Sequence, residues 1–166
     1  MPTFSMRDAT EADLPHLTSI REPEALHLGR LRDAKNPDFR YFVMFDGQEA
    51  VGFVSLLFRR PKSWINKDDT KHLPEVNDLY IAEDRRGQGY GTKALHFLEG
   101  VAAKSGCEQL YISVESRDNP RAYALYQRLG YQQLQDEPYF HRWGSVDGDG
   151  ILRQGELWLV DMVKQL

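Results

Sequence analysis

The chain has 166 residues, which is the size of one domain and enough to bury a substantial core. Hydrophobic residues make up 41% and charged residues 28%, as in globular proteins, and the net charge of −4 argues against a nucleic-acid partner. Its single cysteine, Cys107, excludes an intrachain disulfide. The sequence shows neither a membrane-length apolar run nor a signal-peptide pattern, so we expect a cytoplasmic protein without a membrane partner.

Hydrophobic periodicity predicts strands and helices along the first half of the chain. In chain order we expect a strand over 3–6, helices from Thr10 and over 23–34, strands over 39–45 and 50–58, and a loop over 59–72. Two local signals support this division. Thr10 and Asp13 form a capping box at a helix start, and Asp46-Gly47 is typical of a tight turn between paired strands.

The second half predicts strands at 75–81, 109–114, 131–134, 139–143 and 157–163, and helices at 87–105 and 120–129. Asn119, Pro120 and Gly130 suit the cap, the first position and the end of the last helix. A strand–helix–strand crossover makes the first two of these strands parallel neighbours. The predicted fold class is α/β: a mixed, mostly antiparallel central sheet with one parallel βαβ crossover and helices on both faces.

The segment most informative about chemistry is Arg85-Arg86-Gly87-Gln88-Gly89-Tyr90-Gly91-Thr92, between a strand and a long helix. Its alternate glycines let the backbone approach a ligand closely. N–H groups at a helix N-terminus attract anions, and the two arginines add charge for phosphate. The spacing differs from a dinucleotide fingerprint, and Gly91-Thr92-Lys93 reverses the order of a P-loop. A glycine-rich turn that only starts a helix is the structural alternative.

Two segments resemble the signatures of the GNAT N-acetyltransferases. Arg86-Gly87-Gln88-Gly89-Tyr90-Gly91 matches the family pattern R/Q-x-x-G-x-G/A. The segment from Asn119 to Tyr131 resembles the second signature, N-x-x-A-x-x-L-Y-x-x-x-G-F/Y, and residues 6–14 resemble the usual opening. The resemblance implies one N-acetyltransferase domain over 1–166. Such a domain moves an acetyl group from acetyl-CoA directly to a primary amine of a small molecule or peptide.

The same resemblance implies which residues bind acetyl-CoA. The backbone of Leu79, Tyr80 and Ile81 would pair with the pantetheine arm as a pseudo-strand. The pyrophosphate would be held by Arg86, Gly87, Gln88, Gly89, Tyr90, Gly91 and Thr92. Asn119 would contact the arm of the cofactor, although capping of its helix explains this residue equally well.

Catalytic roles follow from the resemblance as well. Tyr126 stands where many members place the tyrosine that protonates the leaving thiolate, with packing in its helix as the alternative. Glu75 stands where histone-type members place the general base. Asp78 and ordered water are the other candidates. Strand alternation puts Glu75 and Asp78 on opposite faces unless a bulge intervenes.

The segment Ser145–Glu156 nearly matches an EF-hand calcium loop. Extended flanks favour a glycine-rich hairpin there, so no metal is expected. Five aromatic or histidine side chains lie in segments where family members build acceptor pockets, with core or dimer contacts as alternatives: Trp64, Tyr139, Phe140, His141 and Trp143.

The alternative to an N-acetyltransferase is a non-catalytic acyl-CoA sensor on the same fold. The fold does not determine which amine is acetylated. Dimers are frequent in such families, so a homodimer stays open.

Overall fold

The computed structural model describes residues 3–59, 73–146 and 150–166, so nearly all of the loop predicted over 59–72 lies outside the described residues. The helices are α1 (Leu14–Ile20), α2 (Glu24–Asp33), α3 (Tyr90–Lys104) and α4 (Pro120–Arg128). The strands are β1 (Phe4–Asp8), β2 (Phe39–Asp46), β3 (Glu49–Leu57), β4 (Glu75–Ile81), β5 (Gln109–Val114), β6 (Gln132–Gln133), β7 (Tyr139–Val146) and β8 (Leu152–Gln165). None of the described helices is both long and apolar enough to cross a bilayer.

The described strands form a sheet in the order β1-β2-β3-β4-β5-β8-β6, and β7 pairs with β8. β4 and β5 run parallel, whereas the other recorded pairs are antiparallel. α3 connects β4 to β5 and carries the chain back, as a parallel pair requires. The predicted mixed sheet with one parallel crossover is confirmed.

Helices cover both faces of this sheet, as predicted. On the α3/α4 face, the apolar stripe of α3 packs with alternate strand residues into one core, which includes Val54, Leu95, Leu98, Leu110 and Ile112. On the α1/α2 face, a second core contains Leu17, Tyr41, Val43, Phe53 and Leu57. Each fully buried large apolar side chain stabilises the fold by roughly 1.5–3 kcal/mol relative to an exposed one. Apolar packing therefore stabilises the sheet on both of its faces.

The predicted capping box joins β1 to the first helical turn. The Thr10 N–H donates to the Asp13 carboxylate at 2.8 Å. The Arg7 guanidinium donates to both oxygens of the same carboxylate, at 2.7 and 2.8 Å. The Arg7 hydrogen bonds hold the pKa of Asp13 below its ordinary value although burial opposes this. A short 3₁₀ turn, Glu11–Asp13, precedes α1.

Several predicted boundaries differ from the structure. α3 begins at Tyr90 rather than at Gly87, because Gly87 and Gly89 have φ of 77° and 86°, which a right-handed helix does not accommodate. β6 is shorter than predicted and β8 is longer. The hairpin expected near the C-terminus is confirmed, since β7 and β8 pair in register up to Val146 and Leu152. Strands, not EF-hand helices, flank that turn, whose residues 147–149 lie outside the described residues.

Candidate active site

The parallel strands β4 and β5 separate after a short paired segment, and we call the gap between them the wedge. β4 pairs with β5 only at Glu75 and Val76, opposite Tyr111 and Ile112. Pairing of β4 with β3 continues to Ile81. The backbone of Leu79–Ile81 therefore lacks a strand partner on the β5 side within the described part of the chain. These are the residues predicted to pair with a pantetheine arm.

A β-bulge marks the start of this wedge. Asp78 has φ of +52°, and the β3–β4 register shifts beside it. Arg30 donates to the Asn77 side-chain oxygen at 2.9 Å and to the Asp78 carboxylate at 3.4 Å, so both side chains lie on the α1/α2 face. Glu75 shares that face because it is two positions from Asn77. Strict alternation, which places Glu75 and Asp78 on opposite faces, is thus wrong here, and the bulge is the reason.

Backbone N–H groups collect at the start of α3. The first helical hydrogen bond runs from the Lys93 N–H to the Gly89 oxygen at 3.1 Å, so the N–H groups of Tyr90, Gly91 and Thr92 precede the helical ladder. A Cβ on Gly89 would meet nothing within 4 Å, which leaves this backbone open to a ligand. A Cβ on Gly91 would lie 3.2 Å from the Leu125 side chain. Gly91 thus allows the close approach of α4.

Two arginines flank residues 86–92, which we call the glycine loop. Arg86 donates to the Ile81 oxygen at 3.0 Å and stands 5.1 Å above the Tyr80 ring, which orients it beside the wedge. The Arg121 guanidinium lies 3.5 Å from the position of a Cβ on Gly87. Sequence reasoning gave Arg121 no role, because only the packing of α4 brings it to the loop. Arg85, expected to help with phosphate, instead forms an ion pair with Glu49.

The other predicted loop side chains have different surroundings. Tyr90 is buried, and its hydroxyl donates to Asp46 at 2.5 Å, so its ring anchors the loop to the β2–β3 hairpin and only its N–H is offered to a ligand. Gln88 is exposed, and its amide approaches the Asp84 oxygen at 3.5 Å. The Asn119 side chain caps α4 by accepting a hydrogen bond from the Ala122 N–H at 3.3 Å. The predicted capping role of Asn119 is therefore confirmed.

Both predicted catalytic side chains are buried. Tyr126 is 6% exposed, and burial raises its pKa to about 12, so it stays protonated at neutral pH. Its ring lies 6.1 Å from that of Tyr131, within the α3/α4 core. Glu75 is 8% exposed and lies at the base of the wedge, opposite Tyr111.

A further polar group was not predicted from the sequence. Asp161 of β8 is fully buried and accepts hydrogen bonds from the hydroxyls of Tyr111 at 2.5 Å, Ser113 at 2.8 Å and Tyr139. We call these three hydroxyls with Asp161 the hydroxyl cluster. Burial alone raises the pKa of Asp161, but these bonds and one from Gln135 outweigh it and leave the pKa below its ordinary value. The donors lie far apart in sequence, so no local pattern signals the cluster.

Two other features bear on ligand binding. A cavity of about 480 Å³ lies between α1 and the turn after β4, lined by His16, Ile20, Glu49, Asp84 and Arg85 among others. Of the residues predicted to bind acetyl-CoA it contains only Arg85, which is paired with Glu49, so the wedge and the glycine loop are the candidate site. Among residues 3–59, 73–146 and 150–166, no group of three or more His, Cys, Asp or Glu side chains is arranged to hold a metal ion.

With its mixed sheet, splayed parallel pair and glycine turn at the start of α3, the chain has the fold of solved acetyltransferase structures. The model of the acetyltransferase (GNAT) family matches residues 5–131. The chain belongs to this family, whose members are acyl-transferring enzymes.

Individual relatives agree with this assignment. A thialysine N-epsilon-acetyltransferase of Bos taurus is 38% identical over 66 residues, which cover 40% of this chain but only 38% of that protein. An acetyltransferase of Agrobacterium fabrum is 27% identical over 132 residues, covering 79% of this chain and 85% of that protein. A GNAT family acetyltransferase of Elizabethkingia anophelis, solved with acetyl-CoA bound, has a TM-score of 0.60 at 17% identity over 98% of both chains. That likeness shows the fold.

Proposed function

We propose that this protein transfers an acetyl group from acetyl-CoA directly to a primary amine of a small molecule or peptide. The observation that carries the proposal is the wedge between β4 and β5, which leaves Leu79–Ile81 without a strand partner on the β5 side in the described part of the chain, next to the N-terminus of α3. Strand backbone can pair with an amide-containing arm, and helix N–H groups can hold the phosphates at its end. Acetyl-CoA supplies the acyl group as a thioester when it is bound.

The residues present fit a pyrophosphate at the glycine loop. The N–H groups of Tyr90, Gly91 and Thr92 point along the positive end of a helix of 15 residues. Arg86 and Arg121 add two guanidinium groups at the same place. Gln88 and Asn119 complete the predicted set, Asn119 through the amide nitrogen that its capping bond leaves available.

Glu75 and Tyr126 are the two catalytic side chains in this proposal. The Glu75 carboxylate takes a proton from the acceptor ammonium, directly or through a water, so that the neutral amine can attack. Tyr126 donates its hydroxyl proton toward the leaving sulfur. A phenol with a pKa of about 12 is a weak acid toward a thiolate, so its main contribution is a hydrogen bond to the developing negative charge.

Acetyl-CoA titration followed by thiol release tests this function. The wild-type protein is expected to bind acetyl-CoA in isothermal titration calorimetry and to release free CoA thiol with at least one member of an amine panel. The name of the bovine relative makes lysine-type ε-amines the first acceptors to include. Binding without thiol release across the panel would favour a non-catalytic acyl-CoA sensor, and absence of binding would overturn the proposal.

A further inference from the structure

No step of the proposed transfer uses His27, a fully buried residue of α2. Both of its ring nitrogens have partners on other parts of the fold. Nε2 lies 2.7 Å from the main-chain oxygen of Arg21, which ends α1. Nδ1 lies 2.7 Å from the hydroxyl of Tyr41 in β2. Phe53 of β3 packs nearly perpendicular to the imidazole, with ring centroids 5.1 Å apart, and adds no titratable group. The imidazole therefore joins the connection between α1 and α2 to the sheet.

These partners determine the protonation state of His27. A carbonyl oxygen can only accept, so Nε2 carries a proton and donates it to the Arg21 oxygen. In the neutral ring, Nδ1 then accepts from the Tyr41 hydroxyl. Burial raises the pKa of Tyr41, so this hydroxyl keeps its proton. A proton added at Nδ1 would take away the acceptor of that hydroxyl. The observed bonds therefore require a neutral imidazole.

The charges around His27 also favour its neutral form. Arg30 lies on the same helix, Arg21 on the connection between α1 and α2, and Asp78 on β4. Burial lowers the pKa of His27 below its ordinary value of 6.5, and the two arginines act in the same direction, whereas the Arg21 carbonyl and Asp78 oppose them. Because the folded-state pKa is lowered, the contacts of His27 are fully stable above the ordinary value and lose stability as the pH falls below it.

Arg21 connects His27 to the border of the wedge. Its guanidinium binds the Asp78 carboxylate at 3.3 Å and stands 5.0 Å from the centroid of the Tyr80 ring. Asp78 has the positive φ of the bulge, and Tyr80 belongs to the backbone segment predicted to pair with the pantetheine arm. A main chain fixed at Arg21 by His27 therefore limits where the guanidinium can hold this part of β4.

We propose that neutral His27 is a positioning residue of the acetyl-CoA site. It anchors the main chain at Arg21, so that the Arg21 guanidinium holds Asp78 and Tyr80 in the conformation that binds the cofactor. Protonation of His27 releases this anchor, and the affinity for acetyl-CoA falls in acid. This inference rests on the proposed function, which places acetyl-CoA at the wedge, and it adds control of that site by pH.

Calorimetric titration of acetyl-CoA at pH 7.5 and pH 5.5 tests the inference, and we call the rise in Kd between the two the acid loss. His27→Gln is the decisive variant, because its amide can donate to the Arg21 oxygen and accept from the Tyr41 hydroxyl without titrating. A released histidine takes up protons with its ordinary pKa, so the released form becomes up to about tenfold more populated at the lower pH. We expect affinities within about twofold at pH 7.5, and an acid loss about three to ten times larger in wild type than in His27→Gln. The phosphates of acetyl-CoA titrate alike in both titrations, so the ratio isolates His27.

Two further variants show whether the effect passes through Arg21. Arg21→Met leaves the main-chain oxygen to His27 but removes the guanidinium that binds Asp78. It should weaken acetyl-CoA binding about threefold or more at pH 7.5 and reduce the acid loss to that of His27→Gln. His16→Gln replaces an exposed histidine of α1 and should keep the wild-type acid loss. Long-range 1H–15N spectra of the cofactor-free protein should show His27 neutral at pH 7.5, with its proton on Nε2.

The outcomes separate this inference from the proposed function. A wild-type protein that binds no acetyl-CoA at pH 7.5 overturns the proposed function and the inference with it. A wild type that binds acetyl-CoA with the same acid loss as His27→Gln, or that carries the proton on Nδ1 in the cofactor-free spectra, overturns the inference alone. A lower melting temperature in acid without the extra acid loss would make His27 a stabilising residue only. If His27→Gln does not fold, Arg21→Met decides, because an acid loss as large as in wild type overturns the inference and a smaller one supports it.

Discussion

Arg30 of α2 binds the Asp78 carboxylate of β4 at 3.4 Å and so links the helical layer to the strand that borders the wedge. Asp78 is the one described non-glycine residue with positive φ, a conformation that costs free energy unless its surroundings hold it. Arg21 binds the same carboxylate at 3.3 Å. The bulge that separates β4 from β5 is thus held by side chains from the α1/α2 layer.

Arg30→Lys is expected to loosen this bulge. Lysine keeps the charge but cannot reach Asn77 and Asp78 with one planar fork. Both members of the pair are partly exposed, so the free energy of unfolding should fall by only about 1 kcal/mol. Acetyl-CoA affinity should fall severalfold because the edge of the wedge shifts. Urea denaturation and calorimetric titration measure these effects. Arg32→Lys, on the exposed side of α2, is the control. Equal unfolding free energies and equal acetyl-CoA affinities in the two variants would contradict the prediction.

Gly89→Glu is expected to abolish acetyl-CoA binding. The added carboxylate would lie among the N–H groups at the start of α3, where phosphate is expected. Gly106→Glu is a matched control, because Gly106 has the same φ of 86° and open surroundings but lies at the other end of α3. Both variants should lose similar stability from the left-handed backbone, roughly 1–2 kcal/mol. Calorimetric titration showing equal acetyl-CoA affinity in the two variants would remove the loop from the binding site.

Local sequence signals predicted most of the fold and only part of the site. The turn at Asp46-Gly47, the capping box at Thr10 and the strand over 75–81 were each predicted from neighbouring residues, and each was confirmed. The bulge at Asp78 depends on Arg21, which follows α1, and on Arg30 of α2. Arg121 reaches the glycine loop only through helix packing. Asp161 binds hydroxyls from β5 and β7. Contacts of this kind arise from tertiary structure, so hydrophobic periodicity in the sequence does not predict them.

Asp13 should contribute to stability in a pH-dependent way. Its pKa is lowered in the folded state, chiefly by the hydrogen bonds from Arg7, so its contribution is present above the ordinary carboxyl value of 3.8. It is lost as the pH falls through the lower, folded-state value. Asp13→Asn should therefore unfold at a lower urea concentration than wild type at pH 7, and the difference should shrink as the pH drops below about 4. A difference that is constant from pH 7 to pH 2 would contradict this assignment.

Tyr126→Phe should lower turnover more than it changes acetyl-CoA affinity. Removal of a hydrogen bond to the charge that develops in the transition state typically costs on the order of a hundredfold in rate. Tyr131→Phe is the control, since its hydroxyl bonds to Glu99 at 3.1 Å and its loss should cost about 1 kcal/mol of stability without changing turnover. Single-turnover thiol release measures the chemical step. Wild-type rates in Tyr126→Phe would make that tyrosine a packing residue of α4.

Glu75→Gln should lower turnover by about two to four orders of magnitude, the usual contribution of a general base. It should also remove the limb of the pH–rate profile over which activity rises with pH. The reason is positional: Glu75 lies buried at the base of the wedge, opposite Tyr111 of β5. The matched variant is Asp78→Asn. Arg21 and Arg30 already bind that carboxylate, so its loss should reduce stability and acetyl-CoA affinity while sparing the chemical step.

Stopped-flow thiol release across pH 6 to 10 compares Glu75→Gln with Asp78→Asn. If Asp78→Asn stops turnover while Glu75→Gln does not, with both proteins folded and binding acetyl-CoA, the base is Asp78. If both turn over like wild type, water and backbone carbonyls accept the proton, and the protein transfers acetyl groups without a side-chain base.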